Sequence, residues 1–203
     1  MTEVMKVEPV TLTGQWVRLE PLSEAHVPDL TVAGDSDDIW RYMLYGRVRD
    51  EAAMLNWVRT LLEWQRRDTD VPFAVIYLKT GRAVGATRYM DIRPAHRGLE
   101  IGGTWYSVNY QRTMVNTECK YLLMRHAFEV LKCIRVQLKT DLRNERSQRA
   151  IERIGAVREG VLRNHMITPE GYLRSSVMYS VIDSEWAEVK QRLEDKLQNL
   201  KSQ

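Results

Sequence analysis

The sequence predicts an α/β protein of the α+β type, a mixed sheet with helices on both faces. Two observations predict this. The segments run strand, helices, a β-meander, then strand, helix, strand, helix and two more strands before a last helix; meanders give antiparallel neighbours, and strand–helix–strand passages add covered faces. The 203 residues, 44% hydrophobic and 28% charged, also suit one ordinary soluble domain with enough chain to bury a full core, so 1–203 is read as a single unit.

The elements follow in order. "TGQWVRLEPL" reads as a first strand, with Trp16 and Leu19 among its apolar positions. Ser23 is placed to cap a helix through Ala33, aided by Glu24 in its first turn. "DDIWRYMLYG" and "DEAAMLNWVRTLLEWQRR" read as two more helical pieces, the second with Leu55, Val58 and Leu62 at helical spacing. "VPFAVIYLKTGRAVGATRYMDI" is a hairpin turning at Thr80–Arg82. Leu99–Ser107 is a strand interrupted by Gly102-Gly103, where a bulge or a close approach by a ligand is expected.

A long helix is predicted from about Asn116 to Lys132. Leu123, Met124, Ala127, Phe128, Val130 and Leu131 project to its apolar side, and Glu118, Arg125, Glu129 and Lys132 to the other. Ile134–Leu142 alternates strictly, with Arg135, Gln137, Lys139 and Asp141 on a polar face that the sequence does not explain. A short helix from Asn144 to Ile154 stops at Gly155, and two long strands turn at "TPEGY". The last helix carries Trp186, Val189, Leu193, Leu197 and Leu200 on one stripe, which leaves room for a homodimer.

Thirty basic against twenty-seven acidic residues give a net charge of +3, too balanced to predict nucleic-acid binding. No apolar run approaches membrane-spanning length and "MTEVMKVEPV" lacks a leader's apolar centre, so neither a membrane nor a secretory route is expected. Cys119 and Cys133 lie near the ends of one predicted helix, roughly 21 Å apart, beyond disulfide reach. Reduced packing cysteines in a cytoplasmic protein are expected. No CxxC, HExxH or histidine cluster occurs, and no metal site is expected.

The stretch "NYQRTMVNTEC" (109–119) joins a strand to a helix N-terminus. Free backbone N–H groups and the helix dipole make such a junction a phosphate site. It normally carries glycine for backbone clearance, and this one has none.

From Leu99 to Ser180 the sequence resembles the GNAT acetyltransferases, in the branch typified by RimJ and RimL. The matching elements are "EIG" (100–102), "YQ" (110–111), "TE" (117–118), "NERS" (144–147), "AIERIGAVREGVLR" (150–163) and "VMYSVI" (177–182). The opening "VRLEPLSEAH" (17–26) shares the family's look. The resemblance implies a mostly antiparallel twisted sheet, splayed open at an acetyl-CoA site, with an acetyl-CoA-binding core at about 99–182 and an appended helix at about 183–200. It also implies acetyl transfer to a primary amine by direct transfer in a ternary complex. The acceptor it suggests is a protein N-terminal α-amino group. A small amine (polyamine, aminoglycoside or amino-acid analogue) and a non-catalytic acyl-CoA-binding module are the alternatives.

The family's loop runs Gln-x-x-Gly-x-Gly/Ala, which places Gln111, Arg112, Thr113, Met114, Val115, Asn116 and Thr117 at the pyrophosphate, with Met114 and Asn116 where glycines are usual. Asn116 tolerates left-handed torsions and caps helices well. Arg112 and Lys120 could add charge. Lys120 projects to the apolar side, so an anionic partner is expected for it, phosphate or carboxylate. Glu100 sits at the family's acidic position as a candidate base, or is a salt-bridged strand carboxylate. Ser147 shares a stripe with Ile151 and Ile154, facing inward, where the RimJ/RimL branch has serine as the acid for the leaving thiolate. Asn144 can both cap its helix and hold the pantetheine arm. Backbone N–H groups near Gly103–Trp105 would hold the oxyanion. Arg149 and Arg153 could reach the nucleotide phosphates or be a solvated face. Trp40, Trp57 and Trp64 could shape an acceptor pocket or be core. Arg163, His165 and Arg174 could touch the acceptor.

Overall fold

A computed structural model of the chain describes residues 5–48 and 50–199. Eight strands form one sheet in the order β1-β2-β3-β4-β5-β6-β8-β7. They are β1 (Leu12–Thr13), β2 (Val17–Pro21), β3 (Val71–Tyr77), β4 (Arg82–Arg93), β5 (Gly98–Tyr106), β6 (Arg135–Asp141), β7 (Val157–Ile167) and β8 (Leu173–Ile182). Every neighbouring pair is antiparallel except β5 with β6, which is parallel. That exception follows from the chain, because a helical crossover connects β5 to β6 whereas a tight turn connects β3 to β4.

The period of two along the strands feeds two cores, one per face. On β3, Val71, Phe73 and Val75 enter one cluster, while Ala74 and Ile76 enter the other. The first face is covered by α4 (Met114–Arg125), α5 (Glu145–Arg153) and α6 (Trp186–Asn199), which supply Leu122, Leu123, Ile151, Trp186, Val189 and Leu193. The second is covered by α1 (Val27–Ala33), α2 (Asp37–Trp40) and α3 (Glu51–Arg66), through Leu30, Trp40, Trp57, Val58 and Leu61. Helices therefore lie on both faces, as the element order predicts. The α6 stripe packs within the chain against α4, and Leu200 lies outside the described residues.

Four details differ from the sequence expectations. The helical piece at "DDIWRYMLYG" is one turn, Asp37–Trp40, and Met43–Gly46 is irregular. The Ser23 helix begins with a 3₁₀ turn, Glu24–His26. The long helix starts two residues early, at Met114, and its last turn, His126–Val130, is π-helical, which leaves Val130 exposed. Glu118 is buried, where helical projection puts it with the solvated side chains. Its carboxylate accepts the backbone N–H groups of Gln15, Trp16 and Val17 at 2.7–2.8 Å, so backbone donors replace its water.

Candidate active site

Parallel pairing of β5 with β6 covers only Gly98–Glu100 against Arg135–Gln137. Beyond Glu100 the strands diverge, and the β6-facing edge of β5 has no strand partner. A cavity of about 1260 Å³ opens there and runs from the first turn of α4 past α5 to the segment before α3. On the other edge, Ala86 of β4 pairs with Trp105 but Arg88 pairs with Gly102, so β5 bulges at Gly103–Thr104. Gly103 has φ +56°, and a Cβ there would sit 2.9 Å from the Tyr45 hydroxyl and 3.1 Å from Arg88 Nε. Only glycine suits both the torsion and the space.

At the α4 end, Thr113 is the N-cap: its Oγ1 accepts from Val115 N–H at 3.3 Å and donates to the Tyr110 carbonyl at 2.8 Å. The cap expected at Asn116 is thus one residue before the helix, and the left-handed torsion falls on Arg112 (φ +61°). Met114 and Asn116 are helical, so their torsions call for no glycine. Gln111, Arg112 and Asn116 line the cavity, but Thr113, Met114, Val115 and Thr117 do not. Val115 and Thr117 are buried, so neither side chain reaches a ligand, and the Val115 N–H is already given to Thr113. Gln111 spans the site, donating to the Tyr106 carbonyl at 3.1 Å and accepting from Arg146 at 2.9 Å. Arg146, Arg149 and Arg153 line the same end. With Arg112 and the first-turn N–H groups, they form a donor set suited to a polyphosphate.

Asn144 caps α5, with Oδ1 accepting from Ser147 N–H at 3.0 Å. Asn144 and Ser147 line the cavity, while Ile151 and Ile154 on the same stripe as Ser147 are buried. The capping role and a ligand role are therefore compatible for Asn144.

Glu100 also lines the cavity and is 1% exposed. Lys139 Nζ donates to its two oxygens at 2.6 and 2.7 Å, and Gln137 Nε2 donates at 3.0 Å. The salt-bridged carboxylate is thus the arrangement formed. It also accounts for half of the unexplained polar face on β6. Arg135 pairs with Glu159 and Asp141 with Arg143, which accounts for the other half. Lys120 lines the cavity too; among the described residues no carboxylate is in ion-pair contact with it, and its Nζ donates to Thr104 Oγ1 at 2.7 Å.

The far end holds residues that sequence reasoning missed. Arg88 and Asp70 form a buried pair at 2.9 Å, and the guanidinium lies 4.8 Å from the Trp64 ring and 5.5 Å from the Tyr45 ring. Burial raises the Tyr45 phenol above its ordinary pKa. The available signal was a charged residue, Arg88, inside a strand of apolar neighbours. Trp40 and Trp57 are core, packed with Trp105, and Trp64 alone of the early tryptophans lines the cavity. On the late hairpin, Arg174 is buried in the cavity wall and donates to the Tyr42 carbonyl at 3.2 Å. Arg163 and His165 line a separate shallow hollow.

Comparison with known proteins settles the family. The acetyltransferase (GNAT) domain matches residues 17–157. This chain is a GNAT acetyltransferase. YdaF of Bacillus subtilis (strain 168), named as a candidate ribosomal N-acetyltransferase, is 28% identical over 127 residues, 61% of this chain and 67% of that one. The GNAT chain superposes on a candidate acetyltransferase from T. thermophilus with a TM-score of 0.87 at 41% identity, covering 95% of this chain and 100% of that one. Mycobacterium smegmatis RimJ, solved with CoA-disulfide, shares the fold with a TM-score of 0.79 at 17% identity, over 93% and 95% of the two chains. The sequence's RimJ-like character is in keeping with the name of the YdaF relative.

Proposed function

We propose that the protein transfers an acetyl group from acetyl-CoA to a protein N-terminal α-amino group. The observation that carries this is the divergence of β5 from β6 beside a helix N-terminus flanked by Arg112, Arg146, Arg149 and Arg153. The fit to acetyl-CoA is chemical: phosphates suit the amides and guanidiniums, and a peptide-like pantetheine arm suits the unpaired β5 edge and the Asn144 amide. Gln111, Arg112, Asn116 and Asn144 would hold the cofactor, with Met114 contributing its N–H. When bound, acetyl-CoA supplies the acyl carbon and a thiolate leaving group. The amine forms the new C–N bond as the C–S bond breaks.

Two features favour an α-amine. Both Glu100 oxygens already accept from Lys139 and Gln137, so the site has little spare capacity to take up a proton. An α-amino group, titrating near ~7.7–8.0, needs less help than a lysine near ~10.4. Its proton passes through water to Glu100, while the Ser147 hydroxyl gives its hydrogen to the thiolate and regains one from solvent. The inner wall, moreover, sets Arg88, Lys120, Lys139 and Arg174 beside Asp70 and Glu100, with Asp141 shared between Arg174 and Arg143, which disfavours a polycation such as a polyamine or aminoglycoside. The name of the YdaF relative points the same way.

Thiol release from acetyl-CoA with a panel of N-terminal peptides, polyamines, aminoglycosides and amino acids tests the proposal. Peptides are expected to be the best acceptors. Turnover confined to a small amine would overturn the acceptor, and CoA binding without release for any amine would overturn the enzyme reading in favour of a binding module.

A further inference from the structure

Lys120 is 6% exposed and lines the cavity nearly two turns past the α4 N-terminus, with no carboxylate in ion-pair contact among the described residues. Its Nζ donates to Thr104 Oγ1 at 2.7 Å. Thr104 Oγ1 lies 2.8 Å from Thr87 Oγ1 on β4 and 3.5 Å from the Gly102 carbonyl. These contacts span the bulge, where Thr87 lies between the Ala86–Trp105 and Arg88–Gly102 pairs. An ammonium only donates, so Thr104 accepts from Lys120 and keeps one hydrogen for Thr87 or Gly102. The lysine thereby orients the hydroxyl and ties α4 to the strand edge that faces the acetyl site.

Packing alone does not call for a charge here. Burial pulls the Lys120 pKa down to about 8, with the Glu100 carboxylate opposing it. The Cys119 thiol is pushed up to about 12 by burial, and the Tyr106 phenol on β5 is raised by burial too, so both stay neutral near pH 8. Glu100 on β5 is shared with Lys139 on β6. Arg88 on β4, Arg112 before α4 and Arg146 on α5 keep fixed positive charge on the same cavity. Because folding lowers the lysine's pKa, the unfolded chain binds more protons between roughly pH 8 and 10.5. This group's contribution to stability therefore rises with pH across that window, and the cation is destabilising below it. An apolar replacement should fold at least as well at neutral pH.

We propose that Lys120 is a positioning residue of the acetyl site: through Thr104 it fixes the Gly102–Thr104 bulge and places a positive charge beneath the oxygen that gains negative charge during transfer. The proposal rests on the acetyl-transfer reading above. A fixed cation there favours the developing charge and disfavours the protonated form of an incoming amine. Both effects require the ammonium, so they fade as pH rises through about 8, opposite in sign to the gain from deprotonating the acceptor.

The test is kcat and KM for acetyl-CoA from about pH 6.5 to 9.5 in the wild type, Lys120→Met, Thr104→Val and Thr104→Ser, with calorimetric affinities for acetyl-CoA and for CoA. Lys120→Met is expected to lower kcat at neutral pH by about 10- to 100-fold, hold KM within about threefold, abolish the falling limb near pH 8 and leave Tm no lower. Thr104→Val should act in the same direction and more weakly, and Thr104→Ser should restore the wild-type profile. A falling limb that persists in Lys120→Met would overturn the proposal. So would loss of a rising limb instead, the signature of a base, or a drop in kcat that merely tracks Tm. Should Lys120→Met not fold, the Val and Ser variants decide: equal profiles overturn the proposal. If the wild type acetylates no amine, the acetyl-transfer reading fails on its own and calorimetry decides Lys120. A preference for acetyl-CoA over CoA that Lys120→Met removes would support the carbonyl role; an equal or absent preference would overturn it.

Discussion

Glu118 and Glu100 are nearly as buried as each other, on successive elements, yet they are held by opposite means. Three backbone N–H groups hold Glu118, and Gly14 sits so close that a Cβ there would lie 2.4 Å from its Cδ. Glu100 is held by one lysine and one glutamine in the wall of a cavity. Backbone donors are fixed by the fold and cannot follow a changing charge, so Glu118 is a lock. Side-chain donors can shift, so Glu100 keeps the latitude that proton transfer needs. The difference teaches that burial of a carboxylate says little about its role until its donors are known.

The sharpest way to break the comparison is to remove the lock. Glu118→Ala leaves three N–H groups without their acceptor, each costing about 1–3 kcal/mol where water cannot replace it. A loss of more than ~3 kcal/mol in urea unfolding is expected, with kcat little changed at temperatures where the variant stays folded. A loss under ~1 kcal/mol would show that water substitutes freely at the Gly14 turn.

Glu100→Gln comes next. It strips the charge but keeps the shape, and leaves Lys139 facing a neutral amide. Roughly 100-fold lower kcat is expected from loss of a proton acceptor, with a smaller effect on stability than Glu118→Ala. A change under about threefold would make Glu100 a structural ion-pair member like Asp141 on β6.

These two residues also mark how far the sequence was legible. "EIG" and "TE" located both glutamates and the strand–helix junction between them, and the element order implied the mixed sheet. Helical projection, however, put Glu118 among the solvated side chains, because a single helix holds no information about a turn more than 100 residues away in sequence. The same blindness hid the partners of Gln137 and Lys139: strict alternation on β6 is readable locally, but the carboxylate they serve lies on β5. Arg88 and Asp70 come together only when β3 and β4 are paired and α3 is laid beside them. Ser147 was legible because its stripe with Ile151 and Ile154 is contained in one helix.

Ser147 sharpens the comparison from the other side of the cavity, since it lies in the wall without being fixed as Glu118 is. Ser147→Ala keeps the N–H that the Asn144 cap receives, so stability should change by less than about 0.5 kcal/mol. If the hydroxyl protonates the leaving thiolate, kcat falls about tenfold or more while acetyl-CoA affinity stays within about twofold. Loss of stability with unchanged kcat would reduce Ser147 to part of the cap.

The smallest effect tests the junction proposed to hold the phosphates. Met114 opens α4 with a helical torsion and does not line the cavity, so its contribution is an N–H and the local field. Met114→Glu keeps the N–H, and a carboxylate in a first turn favours the helix itself. Stability should therefore hold or rise slightly. The same charge repels a pyrophosphate held at that turn. Screened by solvent and by Arg112, it should weaken CoA binding by about three- to tenfold, with the loss shrinking as salt is raised. Calorimetric titration of CoA at low and high salt measures this. Equal affinity in both variants at low salt would move the phosphates away from the α4 N-terminus, toward Arg146, Arg149 and Arg153 on α5. A salt-dependent loss keeps them where the helix dipole and the Thr113 cap have left N–H groups to meet them.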